Sequence, residues 1–400
     1  MLKVSRQITA ADILGNPKYL AISYGGYRHK TRDIQPTITE LKDDMKLLFA
    51  MGIRVLRTYN VQLQQVPNLL RAITELKKEN STFQMYVMLG AWIDCANAWT
   101  DKTPNHEIES EQNEGEIKRA VALAQQYPDI VKIIAVGNEA MVHWATSYFV
   151  RPKVILKWVN HLQELKQKGR LPKDLWITSS DDFSSWGGGD KAYHTEDLNN
   201  LIRAVDYISM HTYPMHNSHY NPVFWLVPEE EIELSDKQKI ESAMQRALSF
   251  SQKQYDAVVS YMRNLGINKP VHIGETGWAT LSNGHYGING SRATDEYKSG
   301  RYYELMRKWT NSEEISCFYF EAFDEPWKDA ANAQGSENHF GLFTVDGKAK
   351  YAIWDLVDKG VFKGLTRNGN TIAKTYKGRK EDLLNEVLVP PQKEKLTLNY

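Results

Sequence analysis

The 400-residue sequence contains only two cysteines, so disulfide bonds cannot be the framework of its fold. We expect both, Cys95 and Cys317, to be buried free thiols rather than partners in a bridge. Basic and acidic residues number 49 each, and the absence of net charge argues against a nucleic-acid partner, which would favour a basic surface. No apolar run approaches the roughly 18 residues that a membrane span needs, so we expect no membrane partner.

The sequence also lacks the local patterns of several common sites. No glycine-rich phosphate-binding loop, nucleophilic serine elbow or dinucleotide fingerprint is present. The histidine-rich residues 211–219 fit no standard zinc spacing, so we expect neither a metal nor a cofactor. The first residues lack the apolar segment of an export signal. As written, the sequence therefore predicts a cytoplasmic protein, or a periplasmic or secreted one if a signal peptide has been removed.

Short β-rich runs occur eight times along the chain, usually followed by a polar loop and then a helical pattern. The runs are residues 19–27, 53–59, 84–92, 131–137, 175–180, 205–211, 271–278 and 315–323. Eight alternations without an internal linker predict an α/β fold of the (β/α)8 TIM-barrel type with long βα loops. A doubly wound open sheet is the rival, and the missing phosphate fingerprint and the count of eight argue against it.

Helical spacing follows most of these runs, at residues 39–51, 66–78, 111–127, 152–168, 236–265, 294–309 and 351–359, with Thr37 as an N-cap of the first. We expect residues 1–361 to form the barrel. Residues 362–400 form a C-terminal extension that either packs on the barrel or is partly disordered.

Two glutamates lie at the positions where a (β/α)8 barrel carries its catalytic residues. Glu139 follows the fourth β-rich run, and Glu275 lies at the end of the seventh near Trp278. The ends of barrel strands carry catalytic groups, and glycoside hydrolysis needs a pair of carboxyl groups. The rich complement of 11 Trp, 21 Tyr and 12 Phe can supply a carbohydrate cleft as well as a core. The pair therefore indicates a glycoside hydrolase.

Four segments, VGNE at residues 136–139, GETGW at 274–278, FEAFDEPWK at 320–328 and ENHFGLF at 337–343, resemble the motifs of glycoside hydrolase family 17. Members of that family are β-1,3-glucanases and related glucanosyltransferases of clan A. The resemblance implies the same barrel, with Glu139 as general acid/base and Glu275 as nucleophile of a retaining, double-displacement reaction. Glu139 should then be protonated at rest, because Glu275 and partial burial raise its pKa.

Other residues of these motifs and strand ends are predicted to bind substrate or to orient the carboxylates. Asn138 is placed to bond the sugar 2-hydroxyl, and Arg57, Tyr59 and Tyr213 could hold the nucleophile ionised. Aromatic side chains at strand ends are candidate sugar platforms: Tyr24, Trp92, Trp278 and Trp327. Polar residues of the last motif are predicted hydroxyl ligands or supports: Glu321, Glu325 and Lys328.

The sequence says less about whether the enzyme acts at chain ends or at internal linkages than it says about the catalytic residues. Long loops on the active-site face, and an intracellular enzyme's supply of short oligosaccharides, favour an exo-acting enzyme that hydrolyses laminarin or laminari-oligosaccharides. We expect this enzyme to be a monomer. An endo-β-1,3-glucanase or a β-1,3-glucanosyltransferase is the alternative. A non-catalytic glucan-binding barrel is a remote one, since it would not need both carboxylates.

Overall fold

The computed structural model describes residues 8–393, and its centre is a closed barrel of eight parallel strands. They are β1 (Leu20–Ser23), β2 (Ile53–Arg57), β3 (Tyr86–Ala91), β4 (Val131–Asn138), β5 (Trp176–Asp182), β6 (Ile208–His211), β7 (Val271–Gly277) and β8 (Cys317–Phe320). Each strand pairs with the next along the chain. β8 closes the barrel against β1, with Phe318 opposite Ala21. The predicted (β/α)8 barrel is confirmed.

Most of the helices connect the strands around the outside of the barrel, whereas the first precedes β1 and the last two follow β8. Their bounds are α1 (Ala10–Ile13), α2 (Ile38–Ala50), α3 (Gln65–Glu79), α4 (Gln112–Gln126), α5 (Pro152–Gln167), α6 (Glu196–Ala204), α7 (Pro214–Tyr220), α8 (Asp236–Asn264), α9 (Glu296–Ser312), α10 (Trp354–Asp358) and α11 (Lys380–Asn385). Thr37 caps α2 as predicted: its side chain accepts the N–H of Glu40, whose carboxylate accepts the N–H of Thr37.

Two barrel helices were not predicted. α6 buries Leu198, Leu201 and Ile202, but it is only nine residues long and follows a glycine triplet that dominates the local pattern. α7 begins at Pro214, between the sixth β-rich run and the helix predicted at residues 236–265. The last predicted helix, 351–359, is a turn of 3-10 helix followed by the five-residue α10.

The core has two layers because successive strand residues face opposite sides. One cluster fills the barrel interior with residues such as Ala21, Val55 and Phe318, and α1 contributes Ile13 to the same cluster. The larger cluster lies between the strands and the helices and includes Ile22, Leu41 and Met45. Cys95 and Cys317 are buried and free, as predicted.

Residues 362–393 contact the barrel at separated points. Arg367 Nε lies 2.9 Å from Asp44 Oδ1 of α2, and both side chains are fully buried. Lys298 Nζ of α9 donates to the Leu388 carbonyl at 2.7 Å. The boundary between residues 361 and 362 stays a prediction, and residues 394–400 of the predicted extension lie outside the described residues. Within residues 8–393, every helix is too short or too polar to span a membrane.

Candidate active site

The structure brings Glu139 and Glu275 together at the C-terminal end of the barrel. One carboxylate oxygen from each and a ring nitrogen of His211 lie within 4.8 Å of one another. Glu139 follows β4 directly and has a left-handed backbone, with φ 46°. Gly137, two residues before Glu139, also has a left-handed backbone, with φ 82°. A Cβ at this position would lie only 2.8 Å from the Cβ of Ala140.

A bulge in β7 aims Glu275 into the same space. Met210 of β6 pairs with Ile273, but the next residue, His211, pairs with Glu275, so β7 holds one extra residue. That residue is Gly274, where a Cβ would lie 2.1 Å from the hydroxyl oxygen of Ser209. Glycine is therefore required where the strand passes the buried hydroxyls of β5 and β6.

Glu275 is buried against a cation and two phenols. Arg57 Nη1 forms an ion pair with Oε2, which also accepts the Tyr59 hydroxyl at 2.8 Å, and Tyr213 donates to Oε1 at 2.5 Å. Burial alone would raise the pKa of Glu275. The charge of Arg57 and the hydrogen bonds from Tyr213 and Tyr59 outweigh burial and hold the pKa of Glu275 at about 2. Glu275 is therefore a carboxylate.

Glu139 has a different environment. Its side chain is 17% exposed, and its Oε1 lies 3.1 Å from His211 Nδ1. Burial raises the pKa of Glu139 well above its usual range, and the negative charges of Glu275 and Asp182 raise it further. Glu139 is therefore the protonated member of the pair.

His211 is a site residue that the sequence analysis missed. Burial lowers its pKa to about 4, so the ring is neutral. Its Nε2 lies 2.8 Å from the Ser180 hydroxyl and 3.3 Å from Arg57 Nη2. Tyr213 had been placed at the end of the sixth strand, and a residue two positions earlier on a strand shares its face. That spacing is the signal that could have identified His211.

Asp181 is a second missed residue. Its Oδ2 accepts the backbone N–H of Met141 at 2.8 Å, so it fixes the segment that follows Glu139. Burial raises its pKa to about 7.

The other polar residues predicted to bind substrate lie close to the carboxylate pair. Arg57 Nη2 donates to Asn138 Oδ1 at 2.5 Å, which leaves the amide N–H groups of Asn138 as donors for a sugar hydroxyl. Glu321 is buried, and Lys328 Nζ lies 3.9 Å from its Oε2 and 4.4 Å from the centre of the Phe320 ring. Burial raises the pKa of Glu321 well above its ordinary value, against the charge of Lys328.

Trp92 and Trp327 are both half-buried, so part of each indole is accessible. Glu325, in contrast, is a support. Its Oε1 accepts the Tyr27 N–H at 3.1 Å and its Oε2 accepts the Trp327 indole N–H at 2.9 Å. With both oxygens engaged and only 2% of the residue exposed, Glu325 orients Trp327 and does not reach a substrate. Of the two roles predicted for Glu325, hydroxyl ligand or support, its contacts match the support.

Two of the four aromatic residues predicted to stack on a sugar, Tyr24 and Trp278, are buried, so the prediction is wrong for both. Tyr24 is 1% exposed, and its hydroxyl donates to Asp44 Oδ2 of α2 at 2.8 Å, outside the barrel. Trp278 is 0% exposed, and its indole N–H donates to the Ala293 carbonyl at 2.8 Å. A ring enclosed on both faces cannot stack on a sugar.

Glu139, His211 and Glu275 have the residue types of a metal site. Both oxygens of Glu275, however, already accept hydrogen bonds, and the guanidinium of Arg57 would repel a cation there. The arrangement favours the ion pair between Arg57 and Glu275 over a bound metal ion. The absence of a metal stays a prediction.

The BtgE/BtgC glycoside hydrolase domain family matches residues 21–341, from β1 through the loop after β8. The chain belongs to this family. It is a glycoside hydrolase.

Relatives of the hydrolase include solved and curated proteins. The crystal structure of an endo-laminarinase from Formosa Hel1_33_131 is 68% identical, with a TM-score of 0.96, over 98% of this chain and all of that one. A glucan 1,3-beta-glucosidase of Arthroderma benhamiae is 27% identical over 274 residues, 66% of this chain and 70% of its own. A relative from Aspergillus niger is 23% identical over 311 residues, 76% of this chain but only 37% of that longer protein.

Proposed function

We propose that this glycoside hydrolase is a member of family 17 that cleaves β-1,3-glucan, of the laminarin type, at internal linkages by a retaining double displacement. The observation that carries the proposal is the pair Glu139 and Glu275, two carboxyl groups close together with opposite protonation states. Their oxygens approach within 4.8 Å, near the roughly 5–5.5 Å of retaining enzymes and below the 6.5–9.5 Å of inverting ones.

In the first step, a Glu275 carboxylate oxygen attacks the anomeric carbon and forms a glycosyl ester. Glu139 gives its proton to the glycosidic oxygen, and the leaving chain departs as an alcohol. Esterification removes the negative charge of Glu275. Since that charge helps to keep Glu139 protonated, the pKa of Glu139 then falls. Glu139 takes a proton from water, the resulting hydroxide adds to the anomeric carbon, and the ester bond to Glu275 breaks.

His211 determines which oxygen of Glu139 carries the proton. Arg57 can only donate hydrogen bonds, so His211 Nε2 must accept, and the single proton of the neutral ring lies on Nδ1. Nδ1–H therefore donates to Glu139 Oε1. The acidic proton of Glu139 is left on Oε2, where it is available to the glycosidic oxygen.

Internal cleavage is supported by the 68% identity to the Formosa endo-laminarinase over nearly the whole chain. The sequence analysis favoured end-trimming because the loops are long. Loop length does not by itself close a cleft, and the high overall identity weighs more.

The test is a product time course on laminarin and on reduced laminari-oligosaccharides, resolved by chain length. The proposal expects an early mixture of lengths and a fast fall in laminarin viscosity. Steady release of one short product from chains that otherwise persist would mean exo action. Products longer than the starting oligosaccharide would mean transfer, and no product from laminarin would overturn the β-1,3-glucanase proposal.

A further inference from the structure

A hairpin after β3 carries an aromatic side chain that the proposed reaction does not use. Its strands, Cys95–Ala96 and Asn105–Glu109, pair antiparallel, and Trp99 lies in the turn between them with 63% of its surface exposed. The Trp99 ring lies 5.1 Å from that of Tyr148, nearly parallel at 22°, and 6.4 Å from that of Trp92. We call Trp92, Trp99 and Tyr148 the outer aromatic cluster.

The hairpin is held firmly against the loop after β4. The Cys95 N–H donates to the Tyr148 carbonyl at 3.0 Å, and the His106 ring lies parallel to Phe149 at 3.7 Å. Arg151 forms an ion pair with Glu107 at 2.7 Å. Contacts at both ends of the hairpin thus fix the position from which Trp99 projects.

The turn itself has an unfavourable backbone. Asn97 and Trp99 have φ of 67° and 62°, and a bulky residue in this left-handed region costs of order 1 kcal/mol or more. The Thr100 hydroxyl donates to the Asn97 carbonyl at 2.8 Å and keeps the turn closed. A left-handed backbone that holds a large apolar ring with 63% of its surface in water points to a ligand for the exposed part of the ring.

The outer aromatic cluster also holds a buried acceptor. Asp94 is 9% exposed, and its Oδ2 accepts the Trp92 indole N–H at 3.3 Å. Burial raises the pKa of Asp94, while hydrogen bonds from Ser110, Trp92 and Trp99 lower it. The Asp94 carboxylate thereby orients the Trp92 indole.

The cluster is continuous with the catalytic pair. Tyr148 lies in the loop that follows Glu139 and packs in one cluster with Trp92, and after burial the negative charge of Glu139 is the largest influence that raises the pKa of Tyr148. Trp92 directly follows β3, which neighbours β4 and Glu139 in the barrel. A chain leaving the catalytic pair on this side meets these rings.

We propose that Trp99, supported by Tyr148 and Trp92, forms a distal subsite that stacks on one glucosyl unit of an extended β-glucan chain. The subsite favours long chains over short oligosaccharides, because only a long chain reaches both Trp99 and the carboxylates. The inference rests on the proposed function.

The test is calorimetric binding of laminari-oligosaccharides from the triose to the heptaose to the full chain carrying Glu275→Gln, which binds without turnover. Affinity should rise with length until Trp99 is reached. Adding Trp99→Ala should remove that last gain, about tenfold in Kd, while Trp99→Tyr should keep most of it. Ile108→Ala is the matched control, since Ile108 is a 56% exposed apolar residue on the same hairpin. It should keep the length dependence.

Three results would overturn the inference. Trp99→Ala could leave the length dependence intact, or it could weaken the triose and the heptaose equally. Ile108→Ala could lose affinity as Trp99→Ala does, which would assign the effect to the hairpin's stability. Failure of the proposed function looks different: the wild-type enzyme would then release no product from laminarin, and the Glu275→Gln protein would bind none of the oligosaccharides.

Discussion

Glu139 and Glu275 are the same type of residue less than 5 Å apart, and their surroundings give them opposite protonation states. Glu275 faces the permanent charge of Arg57 and the hydroxyls of Tyr59 and Tyr213. Glu139 faces a neutral histidine and the negative charge of its partner. The difference shows that the neighbours supplied by β2 and β6, rather than the glutamates themselves, set the two protonation states.

Glu275→Gln is expected to have the largest effect, because it removes the carboxylate proposed to attack the anomeric carbon. We expect kcat on laminarin to fall by about 10³-fold or more. Initial rates by reducing-sugar assay give the measurement, with binding of laminarihexaose as the control for folding. A variant that keeps a tenth of wild-type kcat would show that Glu275 is not the nucleophile.

Glu139→Gln tests the other partner. We expect about 10²–10⁴-fold loss on laminarin, where the leaving alcohol needs a proton. The loss should be much smaller for the first step on an aryl laminaribioside whose leaving group needs none, and azide should restore turnover. The comparison of the two substrates is the measurement. Equal losses on both, without azide rescue, would contradict the acid/base role.

Arg57→Gln removes the charge that separates the two protonation states. The pKa of Glu275 is held at about 2, so Glu275 is ionised above that pH, and activity is lost on the acid side only as pH falls toward it. Without Arg57 this pKa rises, and the acid limb of kcat/KM moves to higher pH, with a fall of about 10²-fold in kcat. Arg54→Gln is the control, because Arg54 donates a hydrogen bond to the Phe49 carbonyl and does not contact Glu275. If the acid limb of Arg57→Gln stayed at its wild-type pH, Arg57 would not be the residue that holds the pKa of Glu275 low.

His211→Phe has the smallest expected effect, about tenfold in kcat, because it leaves both carboxyl groups in place and removes the hydrogen bond to Glu139 together with the contacts to Ser180 and Arg57. The hydrogen bond to Glu139 stabilises the ionised form, so its loss raises the pKa of Glu139 and shifts the alkaline limb, where Glu139 loses its proton, to higher pH. The pH dependence of kcat/KM measures the shift. His211→Gln, which retains an N–H donor, should restore part of the wild-type profile. A shift of the alkaline limb to lower pH would refute this role.

The sequence predicted the barrel and the position of both carboxyl groups, because β-rich runs and the polar residues at their ends are local patterns. The two wrong sugar platforms arose because the sequence analysis did not decide whether each side chain faces the barrel interior or the helices. Trp278 lies three residues beyond Glu275, so strand alternation turns it to the outer layer, and Tyr24 follows Ile22 on the outer face of β1. Alternation counted from known positions would have corrected both.

Other features depend on distant contacts and leave no local pattern. The bulge at Gly274 is set by the hydroxyls of Ser180 and Ser209, which come from two other strands. The support of Trp327 by Glu325 depends on the backbone of Tyr27, almost 300 residues earlier in the chain. The sequence could locate these residues at strand ends but could not show what each one touches.

The most direct test of the central claim, that two unlike carboxyl groups perform a double displacement, is the anomeric configuration of the first product. Proton NMR of laminarihexaose hydrolysis, recorded before mutarotation, should show the β-anomer at the new reducing end. An initial α-anomer would mean single displacement by water, and it would contradict the assignment of Glu275 as nucleophile.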